Sequence, residues 1–224
     1  MPEKIIGVLG GMGPEATIEL VAQIVRRTRA KKDQEHLRVL IDNNPKVPDR
    51  TAAILSGGAS CLPELVRSAR ALKRAGADFI VIPCVTAHHY HAALQKRTSL
   101  PVLHIVRETV KRIRKDHPTV RCIGLLASTG TIAAGLFQKA LARTKLELLV
   151  PSENTQKDVV MKAIYLVKAA GTSSEAGSLA RQAGDELVEH GAQVVVAGCT
   201  EIPLVLKDGD LSVPVVDPIG ILAE

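Results

Sequence analysis

Gly76-Ala77-Asp78-Phe79-Ile80-Val81-Ile82-Pro83-Cys84-Val85-Thr86 and Gly191-Ala192-Gln193-Val194-Val195-Val196-Ala197-Gly198-Cys199-Thr200-Glu201 are two copies of one pattern. In each, a Gly-Ala turn feeds a short, largely β-branched run that ends in Pro or Gly followed by a cysteine. An apolar run of this length between turn residues reads as a buried parallel strand. The thiol then stands at the carboxyl end of the strand, where open α/β sheets place their ligands.

Working outward, the repeat extends over most of the chain. Ile5-Ile6-Gly7-Val8-Leu9 runs into the glycine loop Gly10-Gly11-Met12-Gly13, and Arg121-Cys122-Ile123-Gly124-Leu125-Leu126 runs into Ala127-Ser128-Thr129-Gly130-Thr131; Gly124 stands 117 residues after Gly7. Cys199 follows Cys84 by 115, and Val213-Pro214-Val215 follows Leu100-Pro101-Val102 by 113. Landmarks in the same order at nearly constant offset imply two homologous halves. The expected fold is therefore α/β, with two pseudo-symmetric domains, each a parallel sheet flanked by helices, and an active site in the cleft between them. The halves are placed at residues 1–106 with 212–224, and at 107–211. Asn43 to Arg50 reads as a turn-rich loop at a strand's carboxyl edge that turns Arg50 toward a ligand. Thr86 to about Lys96 reads as a helix, as do Lys157 to Ala170 and Ser173 to His190. The chain stops a few residues into a closing helix, so a further terminal element is expected.

Composition narrows the functional classes. The chain has 224 residues, of which 46% are hydrophobic, with no Trp, two Tyr and two Phe, so Val, Ile, Leu and Ala must build the core. The formal charge of +6 suits the attraction of small anions. The basic residues are dispersed, as in Arg26 to Lys32, without an aromatic stacking platform, which argues against nucleic acid. Met1-Pro2-Glu3-Lys4 has no signal-peptide character, and no apolar run reaches membrane-spanning length. Cys61, Cys84, Cys122 and Cys199 form no CxxC pair, which points to reduced thiols and a cytoplasmic location. Cys61 and Cys122 read as packing, since cysteine is among the most buried residue types. His88, His89 and His91 read as the polar face of a helix, with a supporting role open to His88. A zinc site of Cys84, His88 and Cys199 is the rival use of the thiols, but it lacks a fourth ligand and consumes both. No metal is expected.

Two thiols reaching one carbon from opposite sides suit a reaction that removes a proton from one face and returns one to the other. A helix beginning at each strand end would favour the thiolates, with Thr86 and Thr200 as caps or substrate contacts. The glycine loops offer backbone N–H groups to an anion. Neither is a Walker loop, and the first lacks the spacing of a dinucleotide fingerprint.

Gly10-Gly11-Met12-Gly13-Pro14-Glu15-Ala16-Thr17, Pro83-Cys84-Val85-Thr86-Ala87-His88 and Gly198-Cys199-Thr200-Glu201 together resemble the aspartate/glutamate racemase family, with aspartate racemases as the nearest branch. The resemblance implies a cofactor-independent isomerase acting on a small anionic amino acid, aspartate or glutamate above all, and a homodimer. It assigns Cys84 and Cys199 as the two acid/bases. It places Met12, Thr17, Arg50, Val85, Thr86, Thr129, Thr131, Lys168 and Thr200 around the substrate, with Arg50 and Lys168 on its side-chain carboxylate. One departure stands at Val85, where family members commonly carry Asn; an apolar side chain cannot make the hydrogen bonds of an amide. Asp217-Pro218-Ile219-Gly220 is closer to the maleate isomerase branch. Two alternatives therefore stand beside racemisation: cis–trans isomerisation with one cysteine as nucleophile, and a dicarboxylate-binding protein that has lost turnover.

Overall fold

The computed structural model describes residues 3–224, so Met1 and Pro2 of the amino-terminal reading lie outside it. The chain divides into two compact units, residues 1–105 with 219–224, and residues 106–218. In the first unit the order is β1 (Ile6–Gly10), α1 (Pro14–Arg27), β2 (Val39–Asn43), α2 (Arg50–Leu55), α3 (Leu62–Arg74), β3 (Phe79–Val81) and α4 (His91–Gln95). Among the described residues the sheet runs β2-β1-β3, all parallel, with Ile6 paired to both Val39 and Phe79. Val102 extends it by a single parallel bridge to Ile80. The stretch expected as a strand at 100–105 thus contributes one rung.

The second unit holds α5 (Ile105–Asp116) from its second residue on, then β4 (Cys122–Leu126), α6 (Thr129–Ala133), α7 (Leu136–Leu141), β5 (Glu147–Leu149), α8 (Glu153–Thr155), α9 (Met161–Ala170), α10 (Ser174–Glu189), β6 (Val194–Ala197), α11 (Ile202–Val205) and β7 (Val215–Val216). Its sheet runs β5-β4-β6-β7, again parallel. A last helix, α12 (Pro218–Leu222), leads back into the first unit, where Glu224 pairs with Arg27 at 2.6 Å. β7 corrects the boundary drawn at 212: Val195 and Val196 pair with Val215 and Val216, so the segment belongs to the second sheet. It holds there the place that Val102 holds in the first.

The repeat reaches the hydrogen bonds. Gly76 and Gly191 both have φ of +99°, a left-handed turn that glycine adopts without a Cβ penalty. The following amides bond back alike, Ala77 N–H to Leu72 and Ala192 N–H to Leu187, both at 2.9–3.0 Å. Asp78 and Gln193 then accept from the backbone entering each sheet's first strand, at Ile5 (2.6 Å) and Arg121 (2.7 Å). This is how one short motif sets the register of both sheets.

Each unit has its own apolar core. In the first, Leu9, Leu65, Ala69, Ile80, Ile82 and Leu94 are fully buried. In the second, Val195 and Ala197 pack with Ala163, Ile164, Ala183 and Leu187 of α9 and α10. Each fully buried Val, Leu or Ile contributes about 1.5–3 kcal/mol relative to exposure. α10 is helical because Ala176, Ala180, Ala183 and Leu187 recur on one face, and the Ser173 side chain accepts from Ala176 N–H at its start. Between α8 and α9 a π-helical turn spans Gln156–Val160, so the segment expected as a helix from Lys157 to Ala170 is helical throughout and changes pitch after its first turn.

Candidate functional site

Cys84 and Cys199 both lie just past the carboxyl end of a parallel strand, β3 and β6, 5% and 7% exposed. The backbone bends back at each end, through Cys84 N–H to Ile82 O (2.8 Å) and Gly198 N–H to Val196 O (2.9 Å). The helices that follow are short. After Cys84 comes a 3-10 turn, Thr86–Tyr90, with Val85 at its N-cap position; after Cys199 comes the four-residue α11 with Glu201 there. Thr86 and Thr200 therefore do not occupy the cap positions expected of them, though both are buried beside the thiols. Helices this short carry little macrodipole, so the surroundings of each thiol must be sought in side chains.

In the first unit that side chain is Arg50. It is the first residue of α2 rather than part of a loop, because the Asp49 carboxylate accepts from Ala52 N–H (2.7 Å) and starts the helix there. The guanidinium donates to the carbonyls of Val47 (3.3 Å), Pro48 (3.1 Å) and Met12 (3.4 Å), and faces the Cys84 sulfur. Burial alone would lower the Arg50 pKa, but Cys84, Asp49 and Cys61 together outweigh it and leave the value raised. Arg50 thus joins the glycine loop, the 47–48 turn and the first cysteine.

Thr17 closes the glycine loop from inside. Its buried hydroxyl accepts from Gly11 N–H (2.9 Å) and donates to Gly13 O (3.0 Å). Gly11 has φ of +91°, and a Cβ there would lie 2.2 Å from the Asn44 backbone, so only glycine fits. Replacing Thr17 by Val leaves a buried N–H unpaired and is expected to cost about 1–3 kcal/mol, read as a lower urea midpoint. Thr17→Ser keeps the hydroxyl; equal stability of the two variants would contradict this role.

Two further residues belong to this neighbourhood, Cys61, which packs in the core as expected, and His88. Cys61 is fully buried and donates to Pro48 O at 3.3 Å, next to the Arg50 carbonyl contacts. Burial pushes its thiol up, against the pull of Tyr90 and Arg50. His88 is not on a solvated face: it is 3% exposed, because the 3-10 turn winds it inward while His89 stays outside. Its Nδ1 lies 2.9 Å from Cys84 O, and its Nε2 lies 3.3 Å from both Leu103 O and Ile105 N. A neutral ring with the proton on Nδ1 donates to Cys84 O and accepts from Ile105 N–H. Burial lowers the His88 pKa to about 4, in keeping with that form. Both nitrogens being engaged by backbone groups, His88 has no lone pair to offer the zinc considered above.

In the second unit the Cys199 thiol donates to Glu201 Oε2 at 3.0 Å, and Lys168 Nζ donates to Glu201 Oε1 at 2.5 Å. Glu201 is 3% exposed. The resemblance sets Lys168 on the substrate; in the structure it already carries a carboxylate partner. Ser128 accepts from Thr131 N–H (3.2 Å) at the start of α6 and donates to Thr131 Oγ1 (3.1 Å). Thr129, half-buried, accepts from Gln156 Nε2 (3.3 Å), which also donates to Ala127 O (2.9 Å). Gln156 is a further residue missed in the sequence; its buried Oε1 has no partner among the described residues. It stands on the π-helical turn, a feature frequent at functional sites.

So the structure gathers Met12, Thr17, Arg50, Cys84, Val85 and Thr86 in the first unit, and Thr129, Thr131, Lys168, Cys199 and Thr200 in the second. All four cysteines are free, and no described helix is long and apolar enough to cross a membrane.

Known proteins show the same pattern. The family model for Asp/Glu/Hydantoin racemase matches residues 9–224. A Bacillus subtilis protein named as a broad specificity amino-acid racemase, RacX, is 27% identical over 98% of this chain and 95% of its own length. Among solved structures, the aspartate racemase of Picrophilus torridus superposes with a TM-score of 0.87 at 26% identity, over 98% of this chain and 91% of that one. A putative Asp/Glu racemase from Yersinia pestis gives 0.80 at 27%, over 98% and 96%.

Proposed function

Because the chain belongs to the Asp/Glu/hydantoin racemase family and is an amino acid racemase by that membership, we propose that it works without pyridoxal phosphate or metal, with Cys84 and Cys199 as the two acid/bases on opposite faces of a substrate α-carbon. One thiolate takes the α-proton, the electron pair passes into the α-carboxylate as an enolate, and the other thiol delivers a proton to the far face. The two cysteines exchange protonation state in each turnover. The observation that supports this most is the pair itself: two buried thiols at equivalent strand ends, in two sheets of the same order, each beside a charged side chain of opposite sign.

For the substrate, Arg50 supports an amino acid bearing a carboxylate near Cys84, aspartate or glutamate first. A second reading, wider tolerance of side chains, is favoured by Val85 and by the Lys168–Glu201 pair, which leaves less uncompensated positive charge for a second carboxylate. The homodimer implied by the resemblance is part of the proposal, with exposed Ile18 and Val25 of α1 as apolar side chains it would cover.

Incubating the protein with a panel of L- and D-amino acids in deuterated water, without added cofactor, tests the reading. Inversion with deuterium at the α-carbon is expected, fastest for aspartate or glutamate. Wide tolerance predicts comparable rates for neutral amino acids. Inversion that appears only with added pyridoxal phosphate, or none alongside a covalent thiol adduct with maleate, would overturn it.

A further inference from the structure

We propose that Glu201 is the proton partner of Cys199: it holds that thiol protonated in the resting protein and takes the proton whenever Cys199 must become a thiolate. The thiol donates to Oε2 at 3.0 Å, while Lys168, reaching across from α9, donates to Oε1 at 2.5 Å. Thiol and carboxylate are both buried, and the Lys168 side chain is 28% exposed.

The physical argument is one of charge. If Cys199 lost its proton to solvent, two negative groups would face each other 3.0 Å apart in a buried site, which like-charge repulsion disfavours. If the proton instead moves from Sγ to Oε2, the S–H electron pair stays on sulfur, an O–H bond forms, and the pair keeps a single negative charge opposite Lys168. No other reactant is needed. Once Cys199 has acted as a base it is a thiol again, and the proton held on Glu201 Oε2 leaves to solvent, which restores the resting carboxylate. In the other unit Cys84 faces the Arg50 guanidinium, a counter-charge suited to a thiolate. The opposite signs of these two neighbours make Cys199 the acid and Cys84 the base of the resting protein.

The role in turnover rests on the two-cysteine reading; the hold on the thiol does not, and it is measured without substrate. Thiolate absorbance near 240 nm, taken as the difference between the protein and its Cys199→Ser variant across pH, reports Cys199 alone. In Glu201→Gln this titration is expected to move down by at least about one pH unit, because the facing negative charge is gone. Glu201→Asp is expected to stay close to the parent, and Lys168→Gln to move the titration up. In Glu201→Gln the alkaline limb of the kcat profile moves down with it, and kcat falls roughly 10- to 100-fold with KM changed less than about threefold. A merely structural glutamate would move neither titration nor limb. An unshifted or raised Cys199 titration in Glu201→Gln, or in the Lys168→Gln variant a lowered one, overturns the proposal. Racemisation surviving in Cys199→Ser would instead overturn the two-cysteine reading, while the Glu201 titration result stands.

Discussion

Cys199→Ala is expected to lose interconversion of enantiomers by at least about a thousandfold, within the range of a positioned acid/base group, and Cys84→Ala likewise. The two variants should nevertheless differ. With one thiol left, the protein retains a base on a single face and can return a proton only to that face. Cys199→Ala is then expected to exchange the α-hydrogen of one enantiomer with deuterated water, with retention, and Cys84→Ala that of the other. Mass and chirality of recovered amino acid, read from the same incubation, give both quantities. A single-base enzyme would lose everything with one variant and little with the other; interconversion near the parent rate in either would sink the two-base scheme. Mass action adds a constraint: since the enantiomers have equal free energy, kcat/KM must stay equal in the two directions in every variant that still turns over. Effects of Glu201 or Arg50 on one direction alone can therefore appear only in kcat and KM separately, or in one-sided exchange.

What was legible beforehand was whatever the chain states locally and twice. The Gly76 and Gly191 turns, the β-branched strands and the terminal cysteines are short-range signals, and their repetition carries the two-sheet α/β architecture. Even β7 is legible in the offset between Leu100-Pro101-Val102 and Val213-Pro214-Val215, which sets it with the second half. The misread positions depend on partners remote in sequence or on a change of helical pitch. Glu201 follows a cysteine and a threonine and looks like the start of a helix; its meaning comes from Lys168, 33 residues earlier. Cys61 is a buried core residue, as its residue type suggests, and only its thiol's bond to Pro48 O, 13 residues earlier, could not be read locally. Arg50 reads as a loop residue because the turn-rich run before it masks Asp49 as a cap. His88 falls on a solvated face only if the segment is an α-helix; a 3-10 turn of three residues per turn carries it inward.

His88 also makes acid stability a direct readout of that burial. Its folded pKa is lowered to about 4 from the ordinary 6.5, chiefly by burial, with the nearby His91 charge in the same direction. The unfolded chain therefore binds a proton that the folded chain refuses. The contribution is complete above about pH 6.5 and is lost as pH falls toward 4, amounting to about 3 kcal/mol over that window. Protonation also removes the lone pair that accepts from Ile105 N–H. His91 and His104, whose rings lie 6.0 and 5.0 Å from that of His88, are the ionisable side chains packed nearest it, so a difference against a variant isolates the His88 share. His88→Gln can still donate to Cys84 O and accept from Ile105, and is expected to be less stable than the parent at pH 7.5 by about 1–2 kcal/mol. That gap should close, and then reverse, as urea midpoints are followed down to pH 4.5. A gap constant with pH would mean that His88 accepts its proton in the folded protein, and that the buried neutral ring behind Cys84 is the wrong assignment.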